Sequence, residues 1–164
     1  KASTHMCEYE VINPLCFAPA IAPHIVAEKE HVALTVNSIN EALKPALAEH
    51  ADFVLIEGAG GWHTPLNQQE CYSDWVKSAD LPVILVVGVK LGAINHALLT
   101  QESIKNAGLK LAGWVANCID SDMPYQAENL DYLKAHIHAP CLGVVPFLND
   151  EQSASGYLSL PQLN

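Results

Sequence analysis

The stretch Leu81-Pro-Val-Ile-Leu-Val-Val-Gly-Val-Lys-Leu-Gly-Ala-Ile-Asn-His96 decides the fold. Its first part, Val83 to Val87, is an unbroken aliphatic, β-branched run and reads as a strand buried on both faces. A short loop through Lys90 and Gly92 then opens a helical pattern from Ala93 to Ala107. There Ile94, Leu98 and Ile104 are set against polar Gln101, Glu102 and Lys105, and Gly108 supplies the C-terminal stop. A doubly buried strand running directly into a helix is the repeating unit of a parallel α/β sheet.

The same strand character recurs downstream at Leu111 to Ala116 and Leu142 to Val145, and upstream at Phe53 to Ile56. Helical stretches separate these runs. Tyr125 to Ile137 carries Leu130, Leu133 and Ile137 at helical spacing. Ser38 to His50 begins with Ser38 and Glu41 in capping-box spacing, places Ile39, Leu43 and Leu47 on one face, and contains Pro45, which argues against a straight helix. Ile12 to His24, with Pro14, Pro19 and Pro23, reads as an irregular loop. The sequence shows no internal repeat or linker, so residues 1–164 are expected to form a single α/β domain around a mainly parallel sheet.

Composition narrows the partners. Half of the 164 residues are hydrophobic, enough for one core, and 8 Lys and Arg stand against 18 Asp and Glu. That balance repels a phosphate backbone or an anionic membrane, so neither nucleic acid nor membrane is an expected partner. Leu81 to Val89 is the longest apolar run and is too short to span a bilayer. No charged-then-apolar leader opens the sequence, and the five cysteines are scattered with no C-x-x-C pair. A soluble, cytoplasmic protein with reduced thiols is expected. Lys1 to Cys7 lacks both an initiator Met and strand character, which predicts further sequence upstream.

Ligands of open parallel sheets bind beyond the carboxyl ends of the strands. After Phe53 to Ile56 comes Glu57-Gly58-Ala59-Gly60-Gly61. The carboxylate suits a hard cation such as magnesium, and the glycines let backbone N–H groups approach an anion. On spacing alone a tight turn with a solvated Glu fits equally well. Gly92, Ala93, Ile94 and Asn95 open a helix whose first N–H groups attract a carboxylate or phosphate, although an ordinary cap has the same appearance. Asn117 offers a donor and an acceptor to a planar base, and Pro146-Phe147-Leu148 forms an apolar ledge after the last strand. Each is weak alone; their shared position at strand ends strengthens the set. His136 and His138 lack a third partner at ligand spacing and read as surface residues, and His63 and His96 have no nucleophile elbow beside them.

Val54-Leu-Ile-Glu-Gly-Ala-Gly-Gly-Trp62, Thr64-Pro65-Leu66, the Leu81 to His96 stretch and Leu111-Ala-Gly-Trp-Val-Ala-Asn117 together resemble dethiobiotin synthetases of the enterobacterial type, in order from about Ile12-Asn13-Pro14 to Pro146. The resemblance implies a three-layer sheet of the P-loop NTPase type and an ATP- and magnesium-dependent cyclo-ligase of biotin synthesis. That enzyme closes the ureido ring of dethiobiotin from 7,8-diaminononanoate and carbon dioxide. By the same resemblance Glu57 is a magnesium ligand, and Glu57, Gly58, Ala59 and Gly60 line the nucleotide. Asn117 and Cys118 contact adenine with Pro146, Phe147 and Leu148 beside it, and Gly92 to Asn95 receive the substrate carboxylate across a homodimer interface.

There are two departures. The family Tyr that holds the substrate tail aligns with Asn129, and the family's opening P-loop, catalytic Lys and magnesium-binding Asp have no match here. Lys1 falls just past that Asp. The expectation is a domain incomplete at its N-terminus, with no catalytic residue of its own and no turnover as it stands. A truncated dimerising module and a cobyrinic acid diamide synthase relative are the alternatives. A membrane-associated partition ATPase fits less well, because Gly156 to Asn164 has no Lys or Arg and contains Pro161.

Overall fold

The computed structural model describes residues 7–149 and 152–163; the expectation of upstream sequence rests largely on Lys1 to Met6, outside these. The chain divides into two compact units, Lys1–Ala79 and Asp80–Asn164.

The second unit holds the sheet. Strands β1 (Val83–Val89), β2 (Leu111–Cys118) and β3 (Cys141–Val145) pair in that order and all in parallel. Helices α5 (Ala93–Asn106) and α6 (Gln126–His136) form the crossovers that parallel strands require. Register runs from Val83 opposite Leu111 to Val89 opposite Cys118, and from Trp114 opposite Cys141 to Asn117 opposite Val145. Val87 and Val89 of β1 and Trp114, Ala116 and Cys118 of β2 pack with Ala93, Ala97, Leu133 and Ile137 in one core. Side chains alternate along a strand, so Gly113, Val115 and Asn117 take the opposite face of β2.

The helix stops follow local chemistry. Gly108, at φ +81°, ends α5 in the left-handed conformation that a residue without Cβ adopts freely. Tyr125 adopts φ 57° before α6, and the Asn129 side-chain amide donates to its carbonyl at 2.8 Å. Beyond β3, a 3₁₀ turn at Ser155–Tyr157 brings Leu158 into an antiparallel bridge with Gly143, and Ser159 N–H donates to Leu142 O at 2.8 Å.

The first unit is helical: α1 (Tyr9–Ile12), α2 (Pro23–Lys29), α3 (Val36–Ala48) and α4 (Tyr72–Ser78). Three expectations are corrected here. The cap of α3 is Thr35, not Ser38: Thr35 Oγ1 accepts from Ser38 N–H at 3.0 Å and Ser38 Oγ accepts from Thr35 N–H at 2.8 Å. Glu41 instead pairs with Lys44 at 2.6 Å, and Pro45 is accommodated inside the helix. The proline-rich stretch is not irregular to its end, because Pro23 starts α2 at a position where its fixed φ suits a helix and its missing N–H costs nothing. Phe53 to Ile56 is no strand among the described residues. It has no ladder partner, and Phe53, Val54 and Leu55 stand 38%, 47% and 70% exposed. Strand-like side chains specify burial, but a strand also needs a neighbour for its N–H and C=O groups.

Leu133 is fully buried beneath the sheet, whereas Leu91 is 92% exposed. Leu133→Ala should therefore cost about 2–5 kcal/mol in urea unfolding, and Leu91→Ala no more than about 0.5 kcal/mol. Equal losses in the two variants would contradict this packing.

Candidate functional site

Parallel pairing sends all three strands out at the same sheet edge. Lys90 follows Val89, Ile119 follows Cys118, and Pro146 follows Val145. After β1, Ala93 N–H closes a turn onto Lys90 O at 3.0 Å, and Gly92 takes φ +90° as the N-cap of α5. The remaining N–H groups of a first helical turn have no intrahelical acceptor and point outward, where an anion can meet them. Asn95 and His96 are exposed on this turn.

Asn117 does not follow β2 as the sequence predicts. It lies inside the strand, which continues to Cys118 because Gly88 and Val145 both supply partners for Asn117. The difference sets orientation. Cys118 is 4% exposed, its side chain turns into the core, and burial raises its thiol pKa, so the thiol is a packing group. Asn117 is half-buried on the other face. From β3 the chain leaves through Pro146, Phe147 and Leu148, with Phe147 54% exposed. Gly92 to Asn95, Asn117 and Pro146 to Leu148 thus share one edge.

The Glu57 to Gly61 turn belongs to the first unit and is held by two side chains. Thr64 Oγ1 accepts from Gly61 N–H and donates to Gly61 O, both at 2.8 Å. Gly60 adopts φ +87°, and a Cβ there would collide with Thr64 Oγ1. Tyr72, the first residue of α4, lies against Gly58, where an added Cβ would stand 2.5 Å from the ring carbon Cζ. Burial pushes the Tyr72 phenol above its ordinary value of 10.0, and the neighbouring Glu57 carboxylate pushes it further. Tyr72 was not singled out in the sequence. The only signal was indirect, a glycine directly after Glu57 whose missing Cβ needs a reason.

Glu57 is exposed and makes no ion pair among the described residues. No group of three or more His, Cys, Asp or Glu side chains there could hold a metal. One free carboxylate fits magnesium, which is commonly held by one or two carboxylates plus substrate phosphates; it does not fit an all-protein cage. In the H-x-H pair, His136 is occupied locally, stacked on Tyr132 at 3.8 Å with its Nδ1 2.8 Å from Tyr132 O. His63 Nδ1 lies 3.0 Å from Ser73 Oγ, but Ser73 is buried within α4.

Residues 2–155 match the family model described as an AAA domain. The ATP-dependent dethiobiotin synthetase BioD of Pseudomonas aeruginosa PAO1 is 52% identical over 147 residues, covering 90% of this chain and 64% of that protein. The proteins of the same name from Cellvibrio japonicus and Aeromonas salmonicida are 48% and 45% identical, covering 98% and 94% of this chain and 71% and 68% of their own lengths. The chain therefore has an α/β domain that matches the AAA family model and belongs to the ATP-dependent dethiobiotin synthetase family. It spans just under two thirds of the length of the Pseudomonas relatives. No helix among the described residues is long and apolar enough to cross a membrane.

The raised Tyr72 pKa makes a signed prediction. The folded chain keeps the phenol proton that the unfolded chain releases above pH 10.0, so the stability contribution is full below that pH and falls as pH rises towards the folded pKa. Tyr72→Phe should lose less stability than wild type between neutral pH and the region above 10.0, measured by urea unfolding at each pH. Identical losses would contradict the burial of the Tyr72 phenol.

Proposed function

We propose that this protein acts in the ATP-dependent closure of the ureido ring of dethiobiotin, joining carbon dioxide to 7,8-diaminononanoate. The single observation that carries the reading is the common sheet edge. It offers a helix start suited to a carboxylate beside an amide and an apolar ledge suited to a planar base. Family membership supplies the reaction that needs both. Residues 1–164 act in this proposal as the C-terminal part of one such domain, in a cytoplasmic homodimer whose interface completes the substrate site. Free thiols at all five cysteines agree with a reducing compartment.

In the reaction, one amine of the substrate adds carbon dioxide to give a carbamate. The carbamate oxygen takes the γ-phosphoryl group of ATP, and the second amine attacks the carbamoyl carbon and expels phosphate. Such transfers depend on alignment and charge neutralisation more than on covalent help from the protein. The N–H groups of the Gly92 to Asn95 turn other than that of Ala93, which Lys90 O occupies, bind the substrate carboxylate and so fix where the two amines lie. Asn117 reads the edge of adenine, with Cys118 contributing only backbone because its thiol is in the core. Pro146, Phe147 and Leu148 support the ring. Gly58, Ala59 and Gly60 give the phosphates a close approach to backbone, and Glu57 presents an oxygen ligand. Bound magnesium supplies neutralisation of phosphate charge.

In a complete domain, with residues 1–164 joined to a family P-loop region, Glu57→Gln should lower magnesium-dependent dethiobiotin formation by roughly 100-fold, because a neutral amide is a poor ligand for a hard cation and the transition-state charge loses its clamp. Phosphate release measured at saturating ATP and diamine checks this, and near wild-type turnover would remove Glu57 from the magnesium site.

A further inference from the structure

We infer that Tyr72 is a positioning residue for the Glu57 to Gly61 turn, its ring holding the Gly58 backbone so that the Glu57 carboxylate is presented to a magnesium–nucleotide. The inference rests on the reading of Glu57 as a magnesium ligand, and it names the residue that gives this ligand its place.

The geometry is a two-sided clamp. On one side, three atoms of the Tyr72 ring, Cζ, Cε1 and Cε2, lie 2.5, 2.6 and 2.8 Å from where a Gly58 Cβ would be. Carbon atoms in ordinary contact keep about 3.5–4.0 Å apart, so only glycine lets the ring come this close. Cζ bears the hydroxyl, so the polar end of the ring is the part nearest the residue after Glu57. On the other side, Thr64 Oγ1 holds both N–H and C=O of Gly61. The two sides are joined directly, since Tyr72 N–H donates to Thr64 O at 2.8 Å.

The ring is itself braced. Its centroid is 5.3 Å from that of Trp75, which is 2% exposed and donates from Nε1 to Asn40 Oδ1 at 2.8 Å. Asn40 lies on α3, so the brace reaches from the turn to a neighbouring helix of the same unit. A carboxylate on a glycine-rich turn would otherwise sample many positions, and a ligand held in one place binds its cation without the cost of ordering it.

The test is magnesium-dependent binding of a fluorescent ATP analogue to the full chain joined to a family P-loop region, read as the half-saturating magnesium concentration and accompanied by thermal melts. Tyr72→Ala should raise that concentration about 10-fold, the low end of the effect of losing a residue that orients a metal ligand, while Tyr72→Phe, which keeps the ring, should stay within about twofold. Gly58→Ala should raise it by a similar factor without touching Trp75. Adding Tyr72→Ala to Gly58→Ala should cost little more, because the new Cβ then has room; this non-additivity is the mark of a shared contact. Glu57→Gln separates the two readings. If it raises the magnesium requirement while Tyr72→Ala and Gly58→Ala do not, or if their effects simply add, the positioning role is wrong although the ligand stands. An unchanged requirement in Glu57→Gln overturns the ligand reading and the inference with it.

Discussion

β2 is held by β1 from Leu111 to Cys118 and by β3 from Trp114 to Asn117, and the rest of the second unit depends on that parallel pairing. Parallel strands cannot be joined by tight hairpins, so α5 and α6 must cross back over the sheet and bury its Trp114 face. The same pairing delivers the last residues of all three strands to one edge, with Val89 opposite Cys118 and Asn117 opposite Val145. A helix start, an amide and an apolar ledge are thereby brought to one edge of the sheet. Residues remote in sequence can thus form one site because the backbone ladder fixes where the chain must turn.

Strand pairing also decides what each side chain at the edge can do. One residue separates Asn117 from Cys118, and the period of two sends them to opposite faces. The thiol is spent on the core, where Trp114 and Ala116 are its neighbours on the strand. The amide is left half-buried on the face away from the helices. In the first unit the corresponding constraint is the absence of a side chain at Gly58, which admits the Tyr72 ring. In both places a side chain is positioned by what its neighbours exclude rather than by contacts added to it.

The strands at Val83, Leu111 and Leu142 were legible because a doubly buried strand must be apolar at every position, and little else in a soluble domain is. The helix from Ala93 was legible from its stripe and from Gly108. Phe53 to Ile56 carries the same apolar signal yet is unpaired, since side-chain character records a tendency to be buried and says nothing of which strand supplies the ladder. The start of α3 was misread by one turn because Thr35 and Ser38 satisfy each other as well as Ser38 and Glu41 could have. Helix α2 was hidden by its own proline, and α4 is too short for periodicity to show. Glu57, Gly92 to Asn95, Asn117 and Pro146 to Leu148 could be named as candidates from their places after apolar runs. Tyr72 could not, because its importance lies in a contact across the turn with Gly58.

The most direct measurement joins residues 1–164 to a family P-loop region, gives that complete domain ATP, magnesium, 7,8-diaminononanoate and isotopically labelled carbon dioxide, and follows the products by mass spectrometry. The expected result is dethiobiotin carrying the label in its ureido carbon, with one ADP formed for each ring closed. ATP turnover without labelled dethiobiotin, or no reaction of the diamine while nucleotide binds, would contradict the proposed role.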